Sequence, residues 1–329
     1  MKIDVHAHYI PERYIAVGDG TPDGSYGVEV TASDGRTLQT LAARPPTQDV
    51  RDSYRISKRL ADMDAMGVDM HMLSVSPQLF DYHMPADVQL EICRLINDAF
   101  SETIAAHPSR FAGLAHLPMQ APEAAARELE RAVRDLGMRG AEICTNIDGT
   151  NLDDKSFAVF WAKAQELDVP IFLHPQNVLA ADRLSRYHLI NLIGNPTETA
   201  VAAASLIFGG VFREFPRLKV YLAHGGGTCP LIRGRWEHGW RVRPEAKVNI
   251  QRPPSEYFRL LFFDSLSHSV PALSYLIESV GADRVMMGTD YPADMRDSDP
   301  VKTIASLPRV TDREKDLIYG DTARELFKL

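Results

Sequence analysis

Short apolar runs alternate with longer stretches of helical periodicity along most of this 329-residue chain. The apolar runs are rich in Val, Ile, Leu, Phe and Met and predict eight strands, at residues 2–5, 68–75, 111–117, 140–144, 170–173, 218–223, 260–263 and 285–288. Apolar residues spaced three or four apart predict helices between and after them, at residues 86–106, 121–136, 156–167, 197–208, 271–280 and 312–319. This alternation favours an α/β fold, the (β/α)8 or TIM barrel, whose parallel strands are buried on both faces and read as continuous apolar runs.

Two long stretches interrupt the alternation. Residues 18–47 contain an alternating segment, Val28-Glu29-Val30-Thr31, followed by an Asp34-Gly35 pair, and together they predict a small β-hairpin inserted near the N-terminus. Residues 176–196 form a second excursion after the fifth strand, and loops of that length often lie over a site. Because no repeat or linker divides the chain, we predict a single domain over residues 1–329.

Composition excludes several classes of protein. A hydrophobic fraction of 45% and a charged fraction of 24% are ordinary for a globular protein. The net charge is -8 and the arginines are scattered, which disfavours nucleic acid as a partner. No apolar run approaches the ~20 residues that span a bilayer. The N-terminus has no apolar leader and the three cysteines form no close pair, so we expect a cytoplasmic protein without a membrane partner.

Five side chains able to bind metal stand where the predicted strands end, and barrels build their active sites at that rim. His6 and His8 are one residue apart at the end of the first strand, so they point to the same face. His174, His224 and Asp290 follow the fifth, sixth and eighth strands. One such residue alone is more often a cap or a buried hydrogen-bonding group. Five at one rim predict a metal site, and histidine is the commonest protein ligand near neutral pH.

The same segments carry a resemblance to a known family. The chain resembles the amidohydrolase superfamily, and within it the branch that contains aminocarboxymuconate semialdehyde decarboxylase and related aromatic-acid decarboxylases. The likeness covers nearly the whole chain, from residue 2 to the C-terminal helices. The motifs that carry it are His6-Ala7-His8, Leu173-His174-Pro175, Ala223-His224-Gly225-Gly226-Gly227 and Met287-Gly288-Thr289-Asp290-Tyr291-Pro292.

The resemblance implies one divalent metal ion held by His6, His8, His174 and Asp290, with a water at a further position. Three nitrogen donors and a carboxylate suit Zn²⁺ best, although Mn²⁺ or Fe²⁺ accept the same ligand types. The fourth predicted strand carries Glu142 and no lysine, which disfavours a two-metal centre bridged by a carbamylated lysine.

The resemblance also implies how substrate is handled. His224 is similar to the family's general acid/base, and an imidazole pKa of about 6.5 suits proton transfer near neutrality. Two arginines would bind the substrate carboxylate through paired hydrogen bonds. Arg235 matches one of them and would reach in from a neighbouring subunit, which implies a homodimer. For the second, Arg44 is our first choice and Arg59 the alternative.

Two departures from the pattern bear on the substrate. Gln176 and Ala293 stand where aminocarboxymuconate semialdehyde decarboxylase carries aromatic residues, so we expect them to border a different pocket wall. The residues and the resemblance together predict nonoxidative decarboxylation of a small unsaturated or aromatic carboxylic acid, with His224 and Asp290 as the catalytic groups.

Other functions use the same residues. A metal-dependent hydrolase of an ester, lactone or amide, or a hydratase of a double bond, would need the same metal site. A non-catalytic metal-binding barrel is a third hypothesis. It is disfavoured because structural zinc sites are closed, most often by cysteines, and need no acid/base beside them.

Overall fold

Parallel strands close into a barrel in the computed structural model of the protein, which describes residues 1–12 and 53–329 and, as backbone only, two strands between them. The strands in chain order are β1 Ile3–Tyr9, β2 Tyr26–Thr31, β3 Thr37–Ala42, β4 Met70–Val75, β5 Phe111–Gly113, β6 Ala115–His116, β7 Ala141–Cys144, β8 Asn146–Ile147, β9 Thr150–Asn151, β10 Pro170–His174, β11 Lys219–Leu222, β12 Leu261–Asp264 and β13 Val285–Met286.

The barrel wall follows the order β1, β4, β5 with β6, β7, β10, β11, β12 and β13. β5 and β6 are halves of one strand, interrupted at Leu114, whose N–H donates to the Leu73 carbonyl at 2.8 Å. The wall closes where Val5 N–H donates to the Met287 carbonyl at 2.9 Å and where Ala7 forms a parallel bridge to Tyr291. The predicted (β/α)8 barrel is confirmed, and all eight predicted strands lie in its wall.

The helices in chain order are α1 Ile56–Met66, α2 Ala86–Ala106, α3 Pro122–Arg134, α4 Ala158–Leu167, α5 Asn195–Phe208, α6 Val211–Glu214, α7 Cys229–Val242, α8 Pro254–Phe258, α9 Val270–Val280, α10 Pro300–Ala305, α11 Asp312–Asp316 and α12 Thr322–Phe327. α11 begins with a capping box, in which the Thr311 hydroxyl accepts a hydrogen bond from Glu314 N–H and the Glu314 carboxylate accepts one from Thr311 N–H. No helix in the described ranges is long and apolar enough to cross a bilayer.

The inserted segment contains the predicted hairpin. β2 and β3 pair antiparallel, from Tyr26 opposite Ala42 to Thr31 opposite Thr37. The predicted Asp34-Gly35 turn lies outside the described residues. The second excursion, between β10 and α5, contains a 3₁₀ turn at Ala181–Leu184 and one turn of π-helix at Ile190–Gly194.

Apolar side chains fill the barrel interior below its carboxyl rim. Ile3, Val5 and Met72 point into this layer, and α12 closes the opposite end with Leu326 and Phe327. Closer to the carboxyl rim, the rings of Phe172 and Tyr221 stack with centroids 4.3 Å apart. The Phe172 ring also packs edge-on against that of His6, with centroids 4.9 Å apart. This packed floor leaves the carboxyl rim as the end at which polar groups gather.

Candidate metal centre and active site

Four predicted ligands converge at the carboxyl rim. Nε2 of His6 lies 3.1 Å from Nε2 of His8 and 3.3 Å from Oδ1 of Asp290, and Nε2 of His8 lies 3.1 Å from that same oxygen. The His174 ring stands edge-on to those of His6 and His8, with centroids 5.1 and 4.8 Å away. Ligands at about 2.0–2.1 Å from one tetrahedral ion lie roughly 3.3 Å apart, so this spacing suits one shared cation.

In His6, His8 and His174, the other ring nitrogen, Nδ1, already donates a hydrogen bond. Nδ1 of His6 donates to Asp264 Oδ2 at 2.6 Å, Nδ1 of His8 to the Val75 carbonyl at 3.0 Å, and Nδ1 of His174 to the Pro175 carbonyl at 3.1 Å. Because Nδ1 carries the proton in each case, the Nε2 lone pair faces the cluster. Nε2 of His174 is buried and has no hydrogen-bond partner among the described residues. These residues therefore fit a divalent metal ion.

Protonation states agree with a cation at this place. Burial disfavours the charged form of Asp290, but His6 and hydrogen bonds from His224, His6 and His8 outweigh it and hold the Asp290 pKa well below its usual value. Burial also lowers the pKa of His8, and burial with neighbouring rings lowers that of His174 far below the ordinary value. Asp290 is thus anionic, and His8 and His174 are neutral. Burial lowers the pKa of His6, but Asp290 and Asp264 outweigh it and raise that pKa to about 10, so a metal ion bound there would displace a proton from His6.

A buried carboxylate ties β1 to the loop that carries Asp290. The Asp4 carboxylate accepts from the Thr289 hydroxyl at 2.5 Å, from Thr289 N–H at 3.1 Å and from His6 N–H at 3.0 Å. Burial raises the pKa of Asp4 to about 7. Asp290 follows with a left-handed φ of 66° and donates its N–H to the His6 carbonyl at 2.8 Å. This turn brings a side chain from the eighth barrel strand beside the histidines of the first.

His224 stands between open space and the metal cluster, the name used for the four predicted ligands His6, His8, His174 and Asp290. Nε2 of His224 lies 3.5 Å from Asp290 Oδ2, and its side chain is 18% exposed. Asp264 accepts from the backbone N–H of His224 at 2.9 Å and of Gly225 at 2.7 Å. Nδ1 of His224 has no hydrogen-bond partner in the described part of the chain. A ring that touches the cluster with one nitrogen and keeps the other free suits proton transfer.

A cavity of about 540 Å³ opens beside His224 and Asp290. Its walls are mainly apolar, and the excursion after β10 supplies part of them, as predicted for a loop over a site. The residues that line this cavity include Asn191, Leu192, Asn195, Leu231, His268 and Met295. A largely apolar molecule with one end at His224 and Asp290 would fit this space.

The predicted substrate-binding residues fall in different places. Arg235 is exposed on α7 and does not line the cavity of its own chain. Gln176 and Ala293 are half-buried next to the site without lining that cavity; the backbone of Gln176 accepts from Asn146, and that of Ala293 donates to the Asp290 carbonyl at 2.8 Å. Arg44 lies outside the described residues.

The position of Arg59 corrects the prediction that it contacts substrate. Its side chain is fully buried, donates to the His8 carbonyl and contacts Nδ1 of His71 at 3.2 Å. Its guanidinium also lies over the rings of Tyr9 and Tyr291, 5.2 and 4.7 Å from their centroids. Arg59 supports the strand that carries the histidines and has no access to the cavity.

Three residues near the site have no role predicted from the sequence. Asp264 ends β12, so the rule that selected the other rim residues would have included it. Glu142 is a fully buried carboxylate in the apolar strand β7, and burial raises its pKa well above the ordinary value. Met295, two residues beyond Ala293, lines the cavity without a sequence signal of its own.

Comparison with known proteins decides the family. Residues 3–329 match the model of the amidohydrolase family. The chain belongs to that family. One curated relative is 2-amino-3-carboxymuconate-6-semialdehyde decarboxylase from Dictyostelium discoideum, 34% identical over 339 residues that cover 100% of this chain and 92% of the relative. Another is gamma-resorcylate decarboxylase from Polaromonas sp., 33% identical over 292 residues, covering 83% of this chain and 87% of that protein.

A solved structure shows the same fold. The dihydroxybenzoic acid decarboxylase from Polaromonas sp. JS666, with bound manganese and the inhibitor 2-nitroresorcinol, superposes with a TM-score of 0.83 at 27% identity. The match covers 100% of this chain and 97% of the other. The predicted superfamily and the barrel are thereby confirmed, and this amidohydrolase presents at its rim a ligand set suited to one divalent metal ion.

Proposed function

We propose that the protein is a metal-dependent, nonoxidative decarboxylase of a small aromatic or unsaturated carboxylic acid. One observation carries the proposal: the imidazoles of His6, His8 and His174 and the Asp290 carboxylate converge beside an apolar cavity, with His224 at the boundary between them. The relatives with this fold are decarboxylases of such acids. From these four ligands alone Zn²⁺ is the expected metal, and Mn²⁺ is the ion bound by the Polaromonas structure.

Different residues of the chain would transfer the proton and exclude water from the substrate. A bound divalent cation supplies positive charge that draws electron density from oxygen substituents of the substrate. The bond between the carboxylate carbon and the substrate skeleton breaks, carbon dioxide leaves, and a proton replaces it on the skeleton. His224 supplies that proton, because its ring reaches both the metal cluster and the cavity. The apolar walls limit water around the substrate.

In this proposal, a second copy of the chain supplies an arginine that binds the substrate carboxylate. Arg235 is exposed one turn beyond Leu231, which lines the cavity from the same helix. The guanidinium does not line its own cavity, so it would act on the site of a partner in a homodimer. A paired guanidinium fixes both the charge and the orientation of a carboxylate. Arg44, from the inserted segment, stays our candidate for the second arginine.

The function can be tested on the purified protein. Metal-loaded protein is incubated with dihydroxybenzoic acids and with aminocarboxymuconate semialdehyde, and released carbon dioxide is measured. We expect release that stops on chelation and returns with added divalent metal, and none from a His174→Ala variant. If the loaded protein releases no carbon dioxide but cleaves esters or lactones, the hydrolase alternative replaces the proposal.

A further inference from the structure

The cavity beside the metal cluster has a buried end and an exposed end. His224 and Asp290 line the buried end, where their side chains are 18% and 10% exposed. Leu231, Tyr275 and His268 line the same cavity but are exposed, so they form its mouth. A ligand that places one end at the metal cluster therefore presents its other end to the residues of the mouth.

Positive charge is scarce in the walls of this cavity. No lysine or arginine of the described residues lines it, and Asn191 and Asn195 contribute uncharged amides. The wall residues that can carry a positive charge are His224 and His268. His224 contacts Asp290 and is the proposed proton donor. His268 is therefore the group available for an anion at the mouth.

The loop after β12 fixes the backbone of His268. Leu266 N–H donates to Asp264 Oδ1 at 3.0 Å, and the Ser267 hydroxyl donates to the Ser269 carbonyl at 3.0 Å. His268 has a left-handed φ of 52°, a conformation that glycine adopts readily and most other residues do not. The loop thus holds an imidazole at a position where backbone geometry by itself favours glycine.

The ring of His268 is available to a ligand. It forms no hydrogen bond or ion pair with another residue in the described ranges. The neighbouring Tyr275 hydroxyl, in contrast, already donates to the Pro230 carbonyl at 3.2 Å. A charged imidazole donates to carboxylates through charge-assisted hydrogen bonds, which are roughly twice as strong as those between neutral groups.

We propose that His268 binds a second acidic group of the substrate and thereby selects acids with two carboxylates over acids with one. The inference rests on the proposed function, because that function places the reacting end of the substrate at the metal cluster. The second carboxylate then reaches the mouth of the cavity. His268 takes no part in bond breaking or proton transfer, so its contribution is to binding.

Binding of unreactive aromatic acids tests the inference without turnover. Benzoate carries one carboxylate, whereas isophthalate and terephthalate carry a second one at two different distances from the first. Their dissociation constants are measured by calorimetry with metal-loaded native protein and with a His268→Ala variant. We expect at least one diacid to bind the native protein about tenfold or more tightly than benzoate, as one charge-assisted hydrogen bond implies. In His268→Ala this advantage should vanish while the affinity for benzoate is unchanged.

Three further variants separate His268 from other basic groups. His107→Ala removes a histidine near Phe111, at the opposite, amino end of the barrel, and should leave all three dissociation constants unchanged. Arg235→Ala should weaken the binding of all three acids equally, because that arginine is assigned to the carboxylate that they share. His268→Gln should keep part of the diacid advantage, since its amide N–H donates but carries no charge.

The outcomes distinguish this inference from the proposed function. Diacids that bind the native protein no more tightly than benzoate, or an advantage that persists in His268→Ala, would overturn the inference. An advantage that disappears in Arg235→Ala but not in His268→Ala would assign the second carboxylate to the arginine and overturn it as well. Metal-loaded native protein that binds none of the three acids and releases no carbon dioxide would overturn the proposed function together with it.

Discussion

Asp264 serves two parts of the site with one carboxylate. Oδ2 accepts from Nδ1 of His6 at 2.6 Å and from His224 N–H at 2.9 Å, while Oδ1 accepts from Gly225 N–H at 2.7 Å. The first contact sets the tautomer of His6, a proposed metal ligand, and the others hold the backbone of His224, the proposed proton donor. The geometry of both residues therefore depends on Asp264.

Replacement of Asp264 by Asn should weaken metal binding. The amide keeps the shape of the side chain but loses the charge that orients His6, so we expect a 10–100-fold loss of metal affinity, the usual cost of changing such a supporting group. Competition with a chelator measures it. Asp299→Asn, at the N-terminus of α10, should leave the affinity unchanged. Unaltered affinity in Asp264→Asn would show that His6 needs no carboxylate.

Replacement of Arg59 by Met should act on stability and not on substrate binding. The His8 carbonyl would lose its buried donor, so the free energy of unfolding should fall by about 2–3 kcal/mol. Urea denaturation measures this, with the exposed Arg252→Met as a control expected within about 0.5 kcal/mol of the native protein. A folded Arg59→Met variant with normal stability but a strongly raised KM would restore Arg59 as a substrate ligand.

At the scale of elements, the turn after β11 places His224. His224 and the next three glycines all have left-handed φ values, between 56° and 78°. Gly227 tolerates no side chain, because a Cβ there would lie 2.2 Å from the Pro196 carbonyl oxygen at the start of α5. Close contact between this turn and α5 holds His224 at the edge of the cavity.

Substitution of Gly227 by Ala should therefore reduce turnover. The strained φ and the clash with Pro196 would displace His224, and we expect kcat to fall by about 100-fold or more, as for loss of a positioned acid/base. Gly239→Ala on α7 meets no atom within 4 Å and should keep kcat, with a stability gain of up to about 1 kcal/mol. Equal kcat in both variants would contradict the role assigned to the turn.

At the scale of the whole molecule, barrel closure joins the two ends of the chain. β1 is hydrogen-bonded to the segment after β13, so His8 meets Asp290, 282 positions later in the chain, only because the eighth strand returns to the first. In the proposed homodimer, the site of one copy would take Arg235 from the other copy.

A mixture of two inactive variants tests the shared site. Arg235→Ala and His224→Ala are each expected to be inactive, but a mixed dimer of the two holds one site with both native residues. Random exchange of subunits should restore about a quarter of native carbon dioxide release. If Arg235 acts on its own chain, mixing restores nothing, and size-exclusion chromatography of the mixture verifies that dimers are present.

The sequence by itself determined the barrel and most of the metal cluster. Apolar runs of strand length predict the eight strands because burial on both faces demands them, and metal-competent residues after those runs must share a rim when the strands are parallel. That rule selects His6, His8, His174, His224 and Asp290 together, and the resemblance implied which four of them bind the metal.

Only the tertiary structure decided what surrounds these ligands. The hydrogen bond from His6 to Asp264 and the burial of Arg59 behind His8 depend on distances between elements far apart in the chain. Local patterns record which face a residue occupies but not which partner meets it there. His6-Ala7-His8 and the other rim residues thus predicted a metal site, while the folded barrel showed how their side chains are oriented.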